Sequence, residues 1–352
     1  MRLSFSRPTA ALSAVLFLVW QLAQFAHAAP VQPVYGGPIP TRNQRGYNLL
    51  FLSFEPEAPD VLPAGQRDLA LQLDIANNFL IPAVPSGASA VQEDNETQRL
   101  TFSLHWGLGH GTEAALFVPV MWRDGGFMDP VINLWHHLWG MSQSYDSTLS
   151  RTQVGDFHSV LLDRRPDGTD IVNVGNAFGL CDISATMKQC LIENPSFAAA
   201  LRLGLKLPTG NPDELLGSGG TDVGADVDMR QNLGRDVSLY FNWSHSWLGK
   251  DPAIATARTW WEQGIVAIEY RANRKDSYVL QSDWNSLAVV TGNPWADRQQ
   301  RTATFGYRRT VNDRLRYNVS FTENGDVFNH STPWLFEIGP DFTVSFSMSW
   351  LR

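Results

Sequence analysis

The spacing between alternating segments constrains this chain more than any other feature. In its last stretch, Phe342, Val344, Phe346, Met348 and Trp350 occupy one set of alternate positions, and Thr343, Ser345, Ser347 and Ser349 the other. Leu100, Phe102, Leu104, Trp106 and Leu108 alternate in the same way, as do Leu201, Leu203, Leu205 and Leu207 against Arg202, Gly204 and Lys206. A period of two marks a strand with one apolar and one polar face. Twelve such segments can be laid out. The links between them are short at 109–111, 191–195, 231–235, 272–276 and 310–313, and long at 80–97, 123–177, 208–220, 248–259, 288–299 and 324–340. Short and long alternate without a break. Closed membrane barrels have an even strand count, tight turns at one end and longer loops at the other. A soluble sandwich has no reason to keep that parity. The spacing predicts an all-β fold: a transmembrane up-and-down antiparallel β-barrel of about twelve strands over 68–352, with the last strand pairing with the first, around 68–79.

The remaining stretches fit around that frame. A hairpin-like segment at 157–173 would break the parity if it entered the wall, so it belongs to a loop extension. Tyr270 and Tyr278 flank one short turn, Tyr307 and Tyr317 another, and Trp350 lies at the same level, as an interfacial aromatic girdle requires. Arg301, Arg309 and Glu323 fall at strand ends on the apolar face, and Glu262 sits nearer the middle. Within the long 123–177 link, Met128, Val131, Ile132, Trp135, Leu138 and Trp139 follow helical spacing, which predicts an amphipathic helix in a long extracellular loop. Such a helix lies in the interfacial zone of the membrane or lids the barrel.

At the N-terminus, Arg2 and Arg7 precede an apolar run at 10–20, and Ala26-His27-Ala28 supplies small residues for cleavage. This is the pattern of a secretory signal peptide, 1–28. A Pro- and Gly-rich segment at 29–67 follows, expected on the periplasmic side and in part inside the barrel. Hydrophobic content of 43% and a mean hydropathy of −0.19 do not suit a helical membrane protein. Removing Arg2 and Arg7 with the signal takes the net charge from −8 to −10, which argues against a nucleic-acid partner. Cys181 and Cys190 read as members of one strand, 180–190; at about 3.3 Å per residue they would stand roughly 30 Å apart, too far for a disulfide.

Three motifs carry a family resemblance: GPIPTRNQ at 37–44, GGF at 125–127 and KLPTG at 206–210. Together they resemble a proteobacterial outer-membrane barrel family known only as a domain of unknown function. KLPTG also resembles a motif of other barrels, among them outer-membrane transporters linked to aromatic-compound degradation. Ending on a strand with Trp350 near the terminus resembles the C-terminal strand that the barrel-assembly machinery reads, although Leu351 and Arg352 follow it. Cys181 stands where the family pattern suggests Gly. The resemblance implies fold and outer-membrane location, and no activity.

Few residues suggest chemistry. On the polar faces of neighbouring strands, Arg202 and Lys206 confront Asp222, Asp226 and Asp228. Symmetric pairing across the loop would set Lys206 against Asp222 and Arg202 against Asp226. These are read first as ion pairs bracing the wall and second as a solute-selective patch. His245 lies between Ser244 and Ser246, but adjacent strand residues point to opposite faces. No GxSxG elbow is present. Adjacent His136 and His137 cannot chelate from one helical face. The expectation is therefore an outer-membrane barrel of a Gram-negative cell, acting as a gated or substrate-specific channel for small molecules, hydrophobic ones included. It has no catalytic residue, cofactor or metal. Its partners would be outer-membrane lipid, the assembly machinery and a small solute. The alternatives are a lipid-modifying enzyme built on His245 and a structural barrel that does not conduct.

Overall fold

The structure, a computed structural model, describes residues 36–139, 151–249, 254, 257–324 and 339–352. The expected signal peptide, residues 29–35 and the loop residues 140–150 lie outside the described residues. Twelve antiparallel strands close into a barrel. In chain order the wall begins with β1 (Arg67–Leu80), β2 (Ala90–Gly109) and β3 (Thr112–Asp124). A hairpin, β4 (Val160–Arg164) and β5 (Asp170–Val174), and a short β6 (Ala177–Leu180) intervene. The wall resumes with β7 (Ile183–Glu193), β8 (Phe197–Leu207), β9 (Asp222–Asn232), β10 (Val237–Trp247) and β11 (Trp260–Arg271). It ends with β12 (Asp276–Asn285), β13 (Gln300–Thr310), β14 (Leu315–Glu323) and β15 (Phe342–Leu351). β15 pairs with β1 through Leu69↔Trp350 to Ile75↔Val344, which removes both sheet edges.

Alternation sorts the side chains as the sequence suggests. Leu203, Val266, Leu280, Phe305, Phe346 and Met348 stand exposed on the outer face, while Arg202, Gln281, Thr304 and Ser345 are buried inside. Tyr278 packs against Tyr307, and Tyr307 against Tyr317, at the short-turn end. Leu161 and Val172 of the β4–β5 hairpin dock over the mouth at the long-loop end, and β4 pairs with the top of β2.

Two local expectations need correction. β2 begins at Ala90, eight residues before position 98, where the long link was expected to give way to strand. Its added residues, including Glu93, Asn95 and Thr97, are polar and buried under the hairpin, so no apolar alternation announces them. The expected strand 180–190 is split between β6 and β7. Both pair with β3, and the break at Cys181–Asp182 faces Pro119, which has no N–H to continue the ladder. The Cys181 amide donates to the Pro119 carbonyl instead, at 2.9 Å. Both cysteines are free, but Cys181 lies in this break and not in the strand that holds Cys190.

Within the N-terminal segment, residues 36–62 run inside the barrel. The Gly37 amide meets Glu269 and the Ile39 amide meets Gln281, the first near the turn end. A 3-10 turn at Gly46–Leu50 reverses the chain under the loops. The descending arm then meets Asp222 through the Leu52 amide, Arg230 through Asp60, and Glu113 through the Leu62 amide. A Pro-rich chain can do this because the polar wall supplies partners for backbone groups that no ladder satisfies.

The helix α1 (Asp129–Trp139) forms as predicted, and it does not lid the lumen. Ile132 and Trp135 pack on Ile75, Phe321, Phe342 and Val344, which belong to the outer face of β1, β14 and β15. Val131, Leu134 and Leu138 point away from the wall and are exposed.

Candidate functional site

The plug formed by 36–62 divides the lumen unequally. Against β10–β12 it leaves only about 20 Å³, room for a water or two. Ile39 packs there with Tyr240, Ile265, Ala267 and Val279. Phe54 fits a slot made by Gly204 and Gly224, which face each other across β8 and β9. A Cβ would meet the Phe54 ring at 2.6 Å from Gly204 and at 2.9 Å from Gly224, so only glycine leaves the slot open. On the opposite side, between the plug and β14, β15, β1 and β2, a cavity of about 190 Å³ remains in the turn-end half.

The register sets Arg202 opposite Asp226 and Lys206 opposite Asp222. None of these charges is free. The Arg202 guanidinium lies 2.6 Å from Asp226 and 2.8 Å from Asp228. It also donates to the Glu55 carbonyl at 2.9 Å and pairs with Glu57 at 3.1 Å. Lys206 donates to Asp182 at 2.6 Å and to the Leu50 carbonyl at 2.8 Å, with Asp222 at 3.2 Å. Wall-to-wall pairing is thus half of the arrangement; the other half clamps the plug. Asp182, at the β6–β7 break, also accepts from the Gly210 and Ser218 amides, which ties down the β8–β9 loop.

Sequence reasoning missed the plug's own acids and their cationic partners. Glu57 meets Lys188 at 2.9 Å, and Glu55 meets Arg99 at 3.6 Å. Asp74 faces Arg99 across β1 and β2 and accepts from Ser345 at 2.6 Å. This layer separates the cavity from the loop end. The acids at 55, 57 and 60 in a Pro-rich stretch were the available signal, since an acidic loop needs inward cations if it is to be buried. Glu57, His105 and Glu113 bring donor atoms within 4.8 Å of one another, a metal-like cluster. Lys188 stands 2.9 Å from Glu57 and 3.4 Å from Glu113, so an ammonium already supplies the positive charge there.

At the loop end an apolar cluster covers the plug tip. Tyr47, Leu50 and Phe51 of the plug tip pack with Leu161, Val172, Leu215, Leu248, Ile254, Trp261, Ala288 and Val289, contributed by the long loops and the top of the wall. Asp163 of the hairpin is buried in this lid beside Tyr47, and burial together with the nearby Asp297 charge pushes its carboxyl up to about 6. A carboxyl raised in this way favours its protonated form when docked. Docking is then strongest near pH 4 and weakens as pH rises through about 6. We expect protection factors across 160–174, corrected for intrinsic exchange, to be higher at pH 5 than at pH 7.5, a difference of about 1 kcal/mol in local opening. Asp163→Asn should remove that pH dependence; equal protection at both pH values in the unaltered protein would refute it.

His245 does not join a catalytic set. It lies on the outer face, stacked on Trp260 at 5.5 Å and paired with Glu262 at 3.3 Å. Ser244 and Ser246 are buried on the other face, where Ser246 donates to the Leu52 carbonyl.

The family described as "Protein of unknown function (DUF3187)" matches residues 15–350. The chain belongs to the DUF3187 family. Two of its three motifs bear on the plug and the mouth, and the third seats α1 on the outer wall. GPIPTRNQ is the ascending arm of the plug. KLPTG holds the plug tip through Lys206 and the neighbouring loop through Thr209, which donates to Cys181. In GGF, Gly126 takes a positive φ of 63° and lets Glu96 accept from the Phe127 and Met128 amides. No curated protein matches the DUF3187 chain in sequence. Among solved structures, the COG4313 outer membrane channel from Pseudomonas putida F1 is similar in fold, with a TM-score of 0.54 at 12% identity over 85% of this chain and 100% of that one. The KdgM porin gives 0.41 at 7% identity over 80% and 98%, and the CymD monoaromatic hydrocarbon channel 0.38 at 9% identity over 83% and 90%.

Proposed function

We propose that this DUF3187 protein is a gated, solute-selective channel of the outer membrane for small molecules. The observation that carries the reading is a plug held inside a closed barrel whose outer face is a continuous apolar band. The outer face suits lipid, the polar lumen suits passage, and the plug with its lid keeps passage conditional. The short turns then face the periplasm and the long loops the exterior. Outer-membrane lipid would contact the band and α1, and the assembly machinery would read β15. Passage requires the Arg99–Glu55 layer and the apolar lid to separate, so conduction through the resting barrel is low. An enzyme is the weaker reading, because His245 and its neighbouring serines lie on opposite sides of the wall. Solute uptake and lipid hydrolysis should be measured on one liposome preparation of the full chain. Uptake of a subset of small solutes without lipid turnover is expected. Lipid turnover that disappears in His245→Ala, or no uptake of any solute, would overturn the proposal.

A further inference from the structure

The cavity beside the plug has two unlike walls. On the strand side Thr101, Ser103, Ser347 and Ser349 present hydroxyls. On the plug side Pro38, Pro56, Ala58 and Leu62 present hydrocarbon. Prolines add no N–H of their own to that side. The charges around the cavity are paired: Lys188 and His105 with Glu57 and Glu113, Arg99 with Glu55, Arg230 with Asp60, Arg308 with Glu269, and Arg316 with Asp68. Among the described residues, each charged group lining the cavity has an ion-pair partner. Ser103, half-buried on the strand side, offers the cavity a hydroxyl that both donates and accepts.

Size narrows the class further. A dry cavity of roughly 150 Å³ takes up benzene, so about 190 Å³ accommodates one six-membered ring with substituents. We infer that this cavity binds a neutral, hydroxyl-bearing six-membered ring, its apolar face on the plug and its hydroxyls on the Thr–Ser wall. Phenols and pyranoses share that chemistry. The inference deepens the channel reading by naming a solute class, and it rests on that reading only for the route by which the ring arrives.

The test is calorimetric titration of the full chain in lipid nanodiscs, with empty nanodiscs as the blank. The probes are phenol, glucose, toluene and benzoate. Saturable binding of phenol or glucose is expected, and the one that binds distinguishes aromatic from sugar. Toluene, which lacks the hydroxyl, should bind at least about threefold more weakly than the hydroxylated ring that binds, and Ser103→Ala should weaken that ring by about 2–10-fold. Ser103→Leu, which fills the cavity, should abolish binding. Toluene binding as tightly as the better of phenol and glucose, benzoate preferred over every neutral ring, or no saturable binding by any probe would overturn the inference. Ring binding in nanodiscs without uptake in liposomes would leave the site standing and remove the channel; uptake without ring binding would do the reverse.

Discussion

Arg202→Ala should unseat the plug and destabilise the barrel by about 3–5 kcal/mol, the usual cost of removing one partner from a buried ion cluster. Arg202 is 1% exposed, and its guanidinium is the meeting point of Asp226, Asp228 and Glu57. Without it, three carboxylates converge where no water can screen them. Its bond to the Glu55 carbonyl is lost as well, which releases the descending arm of the plug. Arg202→Lys should recover only part of the loss, because an ammonium cannot bridge the aspartates and the plug with a planar fork. Urea unfolding in lipid vesicles reads the stability, and hydrogen exchange over 50–60 reads the plug. An unchanged midpoint with full plug protection would refute the clamp.

The second large effect is expected at the mouth. Trp261 is fully buried, its indole N–H donates to the Leu52 carbonyl at 2.9 Å, and its ring lies 6.4 Å from Phe51. Trp261→Ala should cost about 3–5 kcal/mol through lost burial and the cavity left behind. That loss falls on the joint between wall and plug tip, so it should appear as raised open probability in planar bilayers as well as lower stability. Trp261→Phe should be mild, about 1 kcal/mol, because Ser246 still donates to the same carbonyl. A Trp261→Ala protein as closed and as stable as the unaltered one would show that the lid does not gate.

The two residues differ in how visible they are in the sequence. Arg202 was singled out by alternation, and its partner Asp226 by symmetric pairing across the 208–220 loop, because both follow from a period of two along neighbouring strands. Glu57 was not, since a Pro-rich segment has no period and could have rested anywhere. Trp261 fell within an expected strand, but alternation alone cannot say that its inward face meets a plug. The helix at 129–139 was legible from its spacing. Its seat on the outer wall was not, because both of its faces are apolar enough to pack, and Phe321 and Phe342 lie far from it in sequence.

By itself the sequence determined the closed antiparallel wall, the even strand count, which face of each strand meets the apolar exterior, and the parity of turns and loops. Those properties are local: they depend on residue i, its neighbour two positions on, and the length of the next link. Tertiary structure alone decided that 36–62 turns back inside the lumen, that the aspartates of β9 hold Arg202 and Lys206 for the plug, and that the long loops meet over Phe51. Each of these depends on contacts between segments far apart in the chain, where buried charge and unsatisfied backbone must find partners, and no pattern within one segment records which partner is found.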